Sequence, residues 1–146
     1  LVVGDDWRPD AVGKHCRQGY IVNEQKRSVR VRVLGDKGYI TIKGVTRGIT
    51  KPEYEVAISV VDATEMLDTL CVGGQIIKTR YFVDYGGFTW EIDVFEGENA
   101  GLIVAEIELE SEGQKFAPPP WVGEEVSHDS RYKNVNLSRN PYCHWK

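Results

Sequence analysis

From Val29 to Val60 apolar and polar positions alternate in three short runs, VRVRV, YITIK and EYEVAISV. The turn Gly35-Asp36-Lys37-Gly38 and a longer link from Gly44 to Pro52 separate them. Strand side chains point alternately to the two faces of a sheet, so Arg30 and Arg32 share one face and Val29, Val31 and Val33 the other. Likewise Thr41 and Lys43 stand opposite Ile40 and Ile42, and Glu53 and Glu55 opposite Tyr54, Val56 and Ile58. Later runs over 75–85, 87–95 and 102–110 repeat the pattern. Lys78 and Arg80, then Glu91 and Asp93, then Glu106 and Glu108 alternate with apolar neighbours. Gln18 to Val22 adds a brief strand. The turns 35–38 and 86–87 carry residues that tolerate positive φ, as tight hairpins require. The pattern thus predicts antiparallel β structure.

Helical signals are fewer. Asp62 with Glu65 three residues on reads as a capping box opening a helix whose apolar stripe is Met66, Leu67, Leu70 and Cys71, with Gly73-Gly74 as its stop. Ser127 to Leu137 reads as a C-terminal helix, and 111–116 as a short one stopped by Pro118-Pro119-Pro120. The stretch from Asp10 to Cys16 reads as a turn or short helix.

Alternation by itself also describes an ordinary sheet with one wet face. The sorting of the charges changes the picture. Each of five strands carries two like charges on one face, roughly 6.6 Å apart at two residues' rise, together with Lys43 on a sixth. Like neighbours repel, so a face built for stability alone would mix signs within a strand. Strands of paired bases among strands of paired acids suit a polyanion together with a hard divalent cation that shares its oxygens. Arg30, Arg32, Lys43, Lys78 and Arg80 are the candidate catalytic and substrate-binding bases. Glu106 and Glu108, helped by Glu53, Glu55, Glu91 or Asp93, are the candidate metal ligands.

The motifs VRVR, TIK, YEV preceded by Glu53, KTRY, WEIDVFEG and AEIELE, in that order, resemble the CYTH superfamily of triphosphate tunnel metalloenzymes. PPPWVGEEVSHDSRYKN resembles the C-terminal signature of its short bacterial members. The resemblance runs from Leu1 to about Asn134. It implies an eight-stranded antiparallel tunnel-like barrel, charged inside, with peripheral helices, in a single domain spanning residues 1–146. It also implies a Glu-x-Glu-x-Lys strand just before Leu1; a chain without it is expected to hydrolyse triphosphate poorly. By the same resemblance Tyr20, in Gln18-Gly19-Tyr20, is a candidate for the site, with core packing as the alternative, and the C-terminal region closes one tunnel end, where Arg131 or Lys133 either reaches a phosphate or stays on the surface. Arg47 and Lys51 belong either to a solvated loop or to the tunnel mouth.

Bulk properties narrow the partners. With 18 Lys and Arg against 22 Asp and Glu, the net charge is −4, where a nucleic-acid-binding domain would usually be basic. A local cluster of bases still sets the field within a site. No apolar run approaches the ~20 residues of a membrane span. Cys16, Cys71 and Cys143 are odd in number and lack metal-site spacing, for which a reducing cytosol is the simplest setting. The expected function is hydrolysis of a triphosphate, foremost inorganic tripolyphosphate, with Mg²⁺ or Mn²⁺, on a small-molecule substrate without nucleic acid or membrane. The alternatives are a thiamine or nucleoside triphosphatase or class IV adenylate cyclase on the same fold, and a non-catalytic polyphosphate- or nucleotide-binding module. Oligomeric state has no signature in the sequence.

Overall fold

The computed structural model describes residues 1–146 except 3, 5, 9, 10, 25, 46–51, 111–113 and 146. Its strands are β1 (Val12–Asn23), β2 (Ser28–Leu34), β3 (Lys37–Lys43), β4 (Glu53–Ile58), β5 (Val72–Tyr85), β6 (Phe88–Phe95) and β7 (Ile103–Glu106), with helices α1 (Val60–Thr69) and α2 (Asn134–Arg139). The strands form one antiparallel sheet in the order β4-β3-β2-β1-β5-β6-β7. Among the described residues the sheet has seven strands and stays open at β4 and β7; an eighth strand is not among them. Val2 lies beside β7, donating its N–H to the Ile103 carbonyl, and bridges to Val122.

Most of the alternating apolar positions become one covered face, but Ile42, Tyr54 and Val56 toward the β4 edge stay exposed. Val31, Ala63 and Leu67 are the buried centre under α1, with Val33, Ile40, Ile58 and Met66 around them. Toward β6, Trp90, Ile92 and Val83 pack with Trp7 and Trp121; Trp7 meets Tyr81 edge-on at 5.2 Å and Trp90 meets Trp121 at 5.5 Å. Aromatic rings of this size dominate a core's burial. Helix α1 is capped one turn earlier than the sequence pattern indicates. Ser59, not Asp62, is the N-cap, and its Oγ accepts the Asp62 N–H at 3.0 Å. Asp62 therefore sits in the first turn, where its charge complements the helix dipole. The helix can lie this close because β3 has Gly38 beneath it, where a Cβ would stand 2.9 Å from that of Ala63.

Several expectations are corrected. Residues 12–16 are not a turn or helix but the first part of β1, the central strand, paired with both β2 and β5. Pairing on two sides outweighs the weak local pattern of VGKHC. The predicted strand over 102–110 pairs only through Glu106, so Glu108 lies past its end. The predicted helix over 127–137 is a 3-10 turn at Ser130–Tyr132 followed by α2. Residues 114–116 are not helical, while 111–113 lie outside the described residues, as do Arg47 and Lys51.

The C-terminal segment packs on the sheet's other side. Leu137 is buried against Ile76, Phe95, Leu102 and Val104, with Tyr132, Tyr142 and Trp145 around them. Ile76, Phe95 and Val104 alternate with the wall over α1, so α2 sits on the charged face, not behind it.

Candidate active site

Residues directly opposite in an antiparallel ladder project from the same face. The register therefore arranges the charged face in rows. One row runs Tyr20, Arg30, Thr41, Glu55, and the next outward Ser28, Lys43, Glu53. On the other side Cys16, Lys78 and Phe95 form a row, then Lys14, Arg80 and Asp93, then Phe82, Glu91 and Glu106. The row Gln18, Arg32, Tyr39 joins the two sides. Ten of the eleven predicted charges thus share a face by strand register, and Glu108 joins Glu91 and Glu106 around a cavity of about 350 Å³. Of these charges Lys78 and Asp93 are buried, which is costly unless they are paired or liganded, whereas Glu53, Glu55, Glu106 and Glu108 are exposed.

The β5–β6 side is fully paired. Lys78, only 1% exposed, gives its Nζ to Asp93 Oδ2 at 2.8 Å and to Asn134 Oδ1 of α2 at 3.5 Å. Arg80 donates from Nε to Asp93 Oδ1 at 2.8 Å and from Nη2 to Oδ2 at 3.0 Å, and pairs with Glu91 at 3.2 Å. Burial works against the Asp93 carboxylate, but the bonds from Arg80 and the charge of Lys78 hold its pKa below the usual range. Burial likewise opposes charge on Arg80, and its bonds to Asp93 and the charges of Asp93 and Glu91 raise its pKa beyond ordinary arginine. Both Asp93 oxygens are therefore already occupied. The expectation of Asp93 as a metal ligand meets a residue saturated by nitrogen donors.

The β2–β4 side is not satisfied. Arg30 and Arg32 are alternate residues of one strand, and the Nε of each is buried without a partner among the described residues. Burial, then the charge of Arg32, lowers the Arg30 pKa. Arg30 reaches Thr41 Oγ1 at 3.3 Å, which in turn lies 3.4 Å from Glu55. Arg32 approaches Glu55 at 3.5 Å and Lys43 approaches Glu53 at 3.6 Å, both half-exposed acids. A cavity of about 460 Å³ opens over Tyr20, Arg30, Thr41 and Lys43.

For a metal, the unengaged carboxylates are decisive. Glu106 and Glu108 make no hydrogen bond or ion pair among the described residues, and Glu91 is opposite Glu106 in the ladder. Among the described residues no three His, Cys, Asp or Glu side chains converge in a ready-made cage. A few carboxylates with room for water fit a hard cation such as Mg²⁺, which retains several waters. Glu106 and Glu108 fit that description, and Glu91 stands opposite Glu106 while keeping its 3.2 Å contact with Arg80; Asp93 does not fit.

Tyr20 is buried, pairs with Arg30 across the ladder and lines the cavity over Arg30. Arg131 does not line the Arg30 cavity: it holds Asp129 at 2.6 Å and stacks on Trp145 at 4.7 Å. Lys133 instead lines a separate cavity of about 570 Å³, walled by Trp90, Val104 and Glu106 and devoid of the five predicted bases. The sequence reading missed Gln18, whose Nε2 is buried without a partner, and Cys16 in the row of Lys78. Burial raises the Cys16 thiol pKa against the opposing pull of Lys78, Arg32 and Arg80. Cys16 would have been found had residues 12–16 been read as strand, and Gln18 from its alternation with Tyr20 within the strand read over 18–22.

Comparison with known proteins supplies an independent view. The CYTH domain family profile matches residues 3–142. An inorganic triphosphatase of Acetivibrio thermocellus is 50% identical over 146 residues, all of this chain and 94% of that protein. An inorganic triphosphatase of Nitrosomonas europaea is 40% identical over 126 residues, 84% of this chain and 82% of that one. The crystal structure of the inorganic triphosphatase NE1496 superposes with a TM-score of 0.75 at 33% identity, covering 94% of this chain and 90% of that chain.

Proposed function

The chain belongs to the CYTH domain family, and from that premise we propose that it is an inorganic triphosphatase, cleaving tripolyphosphate to pyrophosphate and phosphate. The observation that carries this reading is the pair Arg30 and Arg32, two adjacent guanidiniums with buried, unpartnered Nε atoms on a face that also bears Lys43, Lys78 and Arg80. Curated relatives covering nearly the whole chain are named for this reaction.

Each group has a part in the proposal. Arg30 and Arg32 offer planar forked donors to phosphate oxygens. Lys43, Lys78 and Arg80 extend positive charge along the substrate and offset charge developing on the leaving pyrophosphate. Asp93 holds Lys78 and Arg80 in place. The family implies a divalent cation in general; the proposal assigns Mg²⁺ or Mn²⁺ to Glu106 and Glu108 with Glu91, and leaves Glu53 and Glu55 to orient Lys43 and Arg32. When bound, that cation neutralises charge on the phosphate oxygens. Water attacks the terminal phosphorus in line, and the bond to pyrophosphate breaks as the new one forms.

The test is phosphate release by the full-length protein from tripolyphosphate, ATP and thiamine triphosphate, side by side, with Mg²⁺, Mn²⁺ or chelator. The reading expects tripolyphosphate to be hydrolysed fastest and only with metal. Cyclic AMP formed from ATP would assign the fold to cyclisation instead. Tight binding without turnover of any substrate would make it a binding module.

A further inference from the structure

The cavity over Arg30 has a wall the catalytic reading does not use. Arg139, the last residue of α2, lines it together with Arg30 and Lys43. Its guanidinium is anchored by donation from Nη2 to the Asn23 carbonyl at 2.9 Å. Tyr20 lines the same cavity between the strand bases and the helix. Helix α2 is fixed in this position: Leu137 is fully buried, and the backbone at Ser138 lies so near β5 that a Cβ on Gly74 would come 2.5 Å from its carbonyl oxygen. The acid at the rim, Glu24, is already engaged by Arg27 at 2.7 Å. Three cations therefore surround one cavity whose lining acid, Glu24, is engaged by Arg27, while the half-exposed Glu53 that Lys43 approaches at 3.6 Å is not among its lining residues.

We propose that Arg139 contacts substrate directly, completing with Arg30 and Lys43 a subsite for one phosphate group of a linear phosphate chain. The inference rests on the triphosphatase reading and deepens it. Arg139 supplies charge from a different segment than the strand bases, so the helix takes part in binding rather than only covering the sheet. Screened attraction from such a cation acts mainly on affinity, and its removal weakens binding more than turnover.

The rival account is that Arg139 merely ties α2 to the Asn23 carbonyl. Glutamine can keep that hydrogen bond but carries no charge, and lysine keeps the charge. Full-length wild type, Arg139→Gln and Arg139→Lys are compared for tripolyphosphate hydrolysis and for tripolyphosphate binding by calorimetry, with thermal unfolding as a control on the fold. The subsite predicts that R139Q raises KM and Kd for tripolyphosphate about tenfold or more, with kcat changed far less, and that R139K restores most of the affinity. Wild-type affinity in R139Q with an unchanged unfolding curve overturns it, as does a loss in R139K as large as in R139Q. Active wild type with an indifferent R139Q rejects the subsite alone, whereas wild type that neither binds nor cleaves tripolyphosphate rejects the triphosphatase reading beneath it.

Discussion

On the β5–β6 side of the charged face, Lys78, Arg80 and Asp93 satisfy one another at 2.8–3.0 Å. On the β2–β4 side, Arg30 and Arg32 stand two residues apart with Nε atoms unpartnered, and the acids nearest to Arg32 and Lys43 are half-exposed at 3.5–3.6 Å. The same residue types thus occur in two electrostatic conditions. Where opposite charges are buried and bonded, the site is preorganised before any ligand arrives. Where like charges are buried together, an anion is what would relieve them. The charged sheet face therefore divides into a part whose buried charges are paired and a part whose buried guanidinium Nε atoms are not.

The contrast is broken most severely at Asp93. Asp93→Asn leaves Lys78 and Arg80 without their shared counter-charge, and removing one partner of a buried pair costs about 3–5 kcal/mol. Glu55→Gln, in the open half, is expected to cost ~1 kcal/mol or less, as for exposed pairs. Urea unfolding of the two variants measures both, and equal losses would erase the distinction between halves.

Activity should show the reverse weighting. Arg30→Ala or Arg32→Ala is expected to lose about 2–4 kcal/mol of transition-state stabilisation, read from kcat/KM, while changing stability little because each removes a like-charge neighbour. A large stability loss with intact kcat/KM would move these arginines to the structural half.

Acid sharpens the comparison. The Asp93 pKa is depressed in the fold, so the stability it contributes is fully present above the unfolded Asp value, about 3.9. It is lost as pH falls from there through the lower folded value. Urea midpoints at pH 7 and pH 3 should differ more for wild type than for Asp93→Asn. Identical pH dependence would show that the buried network is not what acid disrupts.

The smallest effect concerns Cys16, at the junction of the halves. Buried and with a raised thiol pKa, it should alkylate at pH 8 far more slowly than exposed Cys143. Mass-mapped labelling measures the two rates, and comparable rates would mean that the face opens readily to solvent.

Strand parity made much of this face legible, because a period of two sorts side chains without reference to anything distant. Arg30, Arg32, Lys43, Glu53, Glu55, Lys78, Arg80, Glu91, Asp93 and Glu106 fall together in the register for that reason. Parity does not reveal which charges pair. Asp93 and Glu91 are equivalent in sequence, yet one is saturated and the other half open, because Lys78 and Arg80 converge on the inner one. Nor does it reveal β1's first half, where central pairing replaces an apolar signal, or Arg139, which a short helix carries across more than a hundred residues to the carbonyl of Asn23. The α1 cap shows the same limit at close range. Ser59 and Asp62 both satisfy a capping pattern, and the close seat on Gly38 belongs to the fold, not to the local sequence.

In the proposed division of labour, bases on this face bind the phosphate chain while Glu106 and Glu108 lead a separate set of carboxylates in binding the metal. A Mg²⁺ titration of tripolyphosphate hydrolysis, with full-length wild type, Arg30→Ala and Glu106→Gln, tests it most directly. The account predicts that Glu106→Gln raises the Mg²⁺ needed for half-maximal rate, and that Arg30→Ala leaves that value near wild type while losing rate or substrate affinity. Superimposable metal curves for all three proteins, or a shift produced by Arg30→Ala alone, would contradict it.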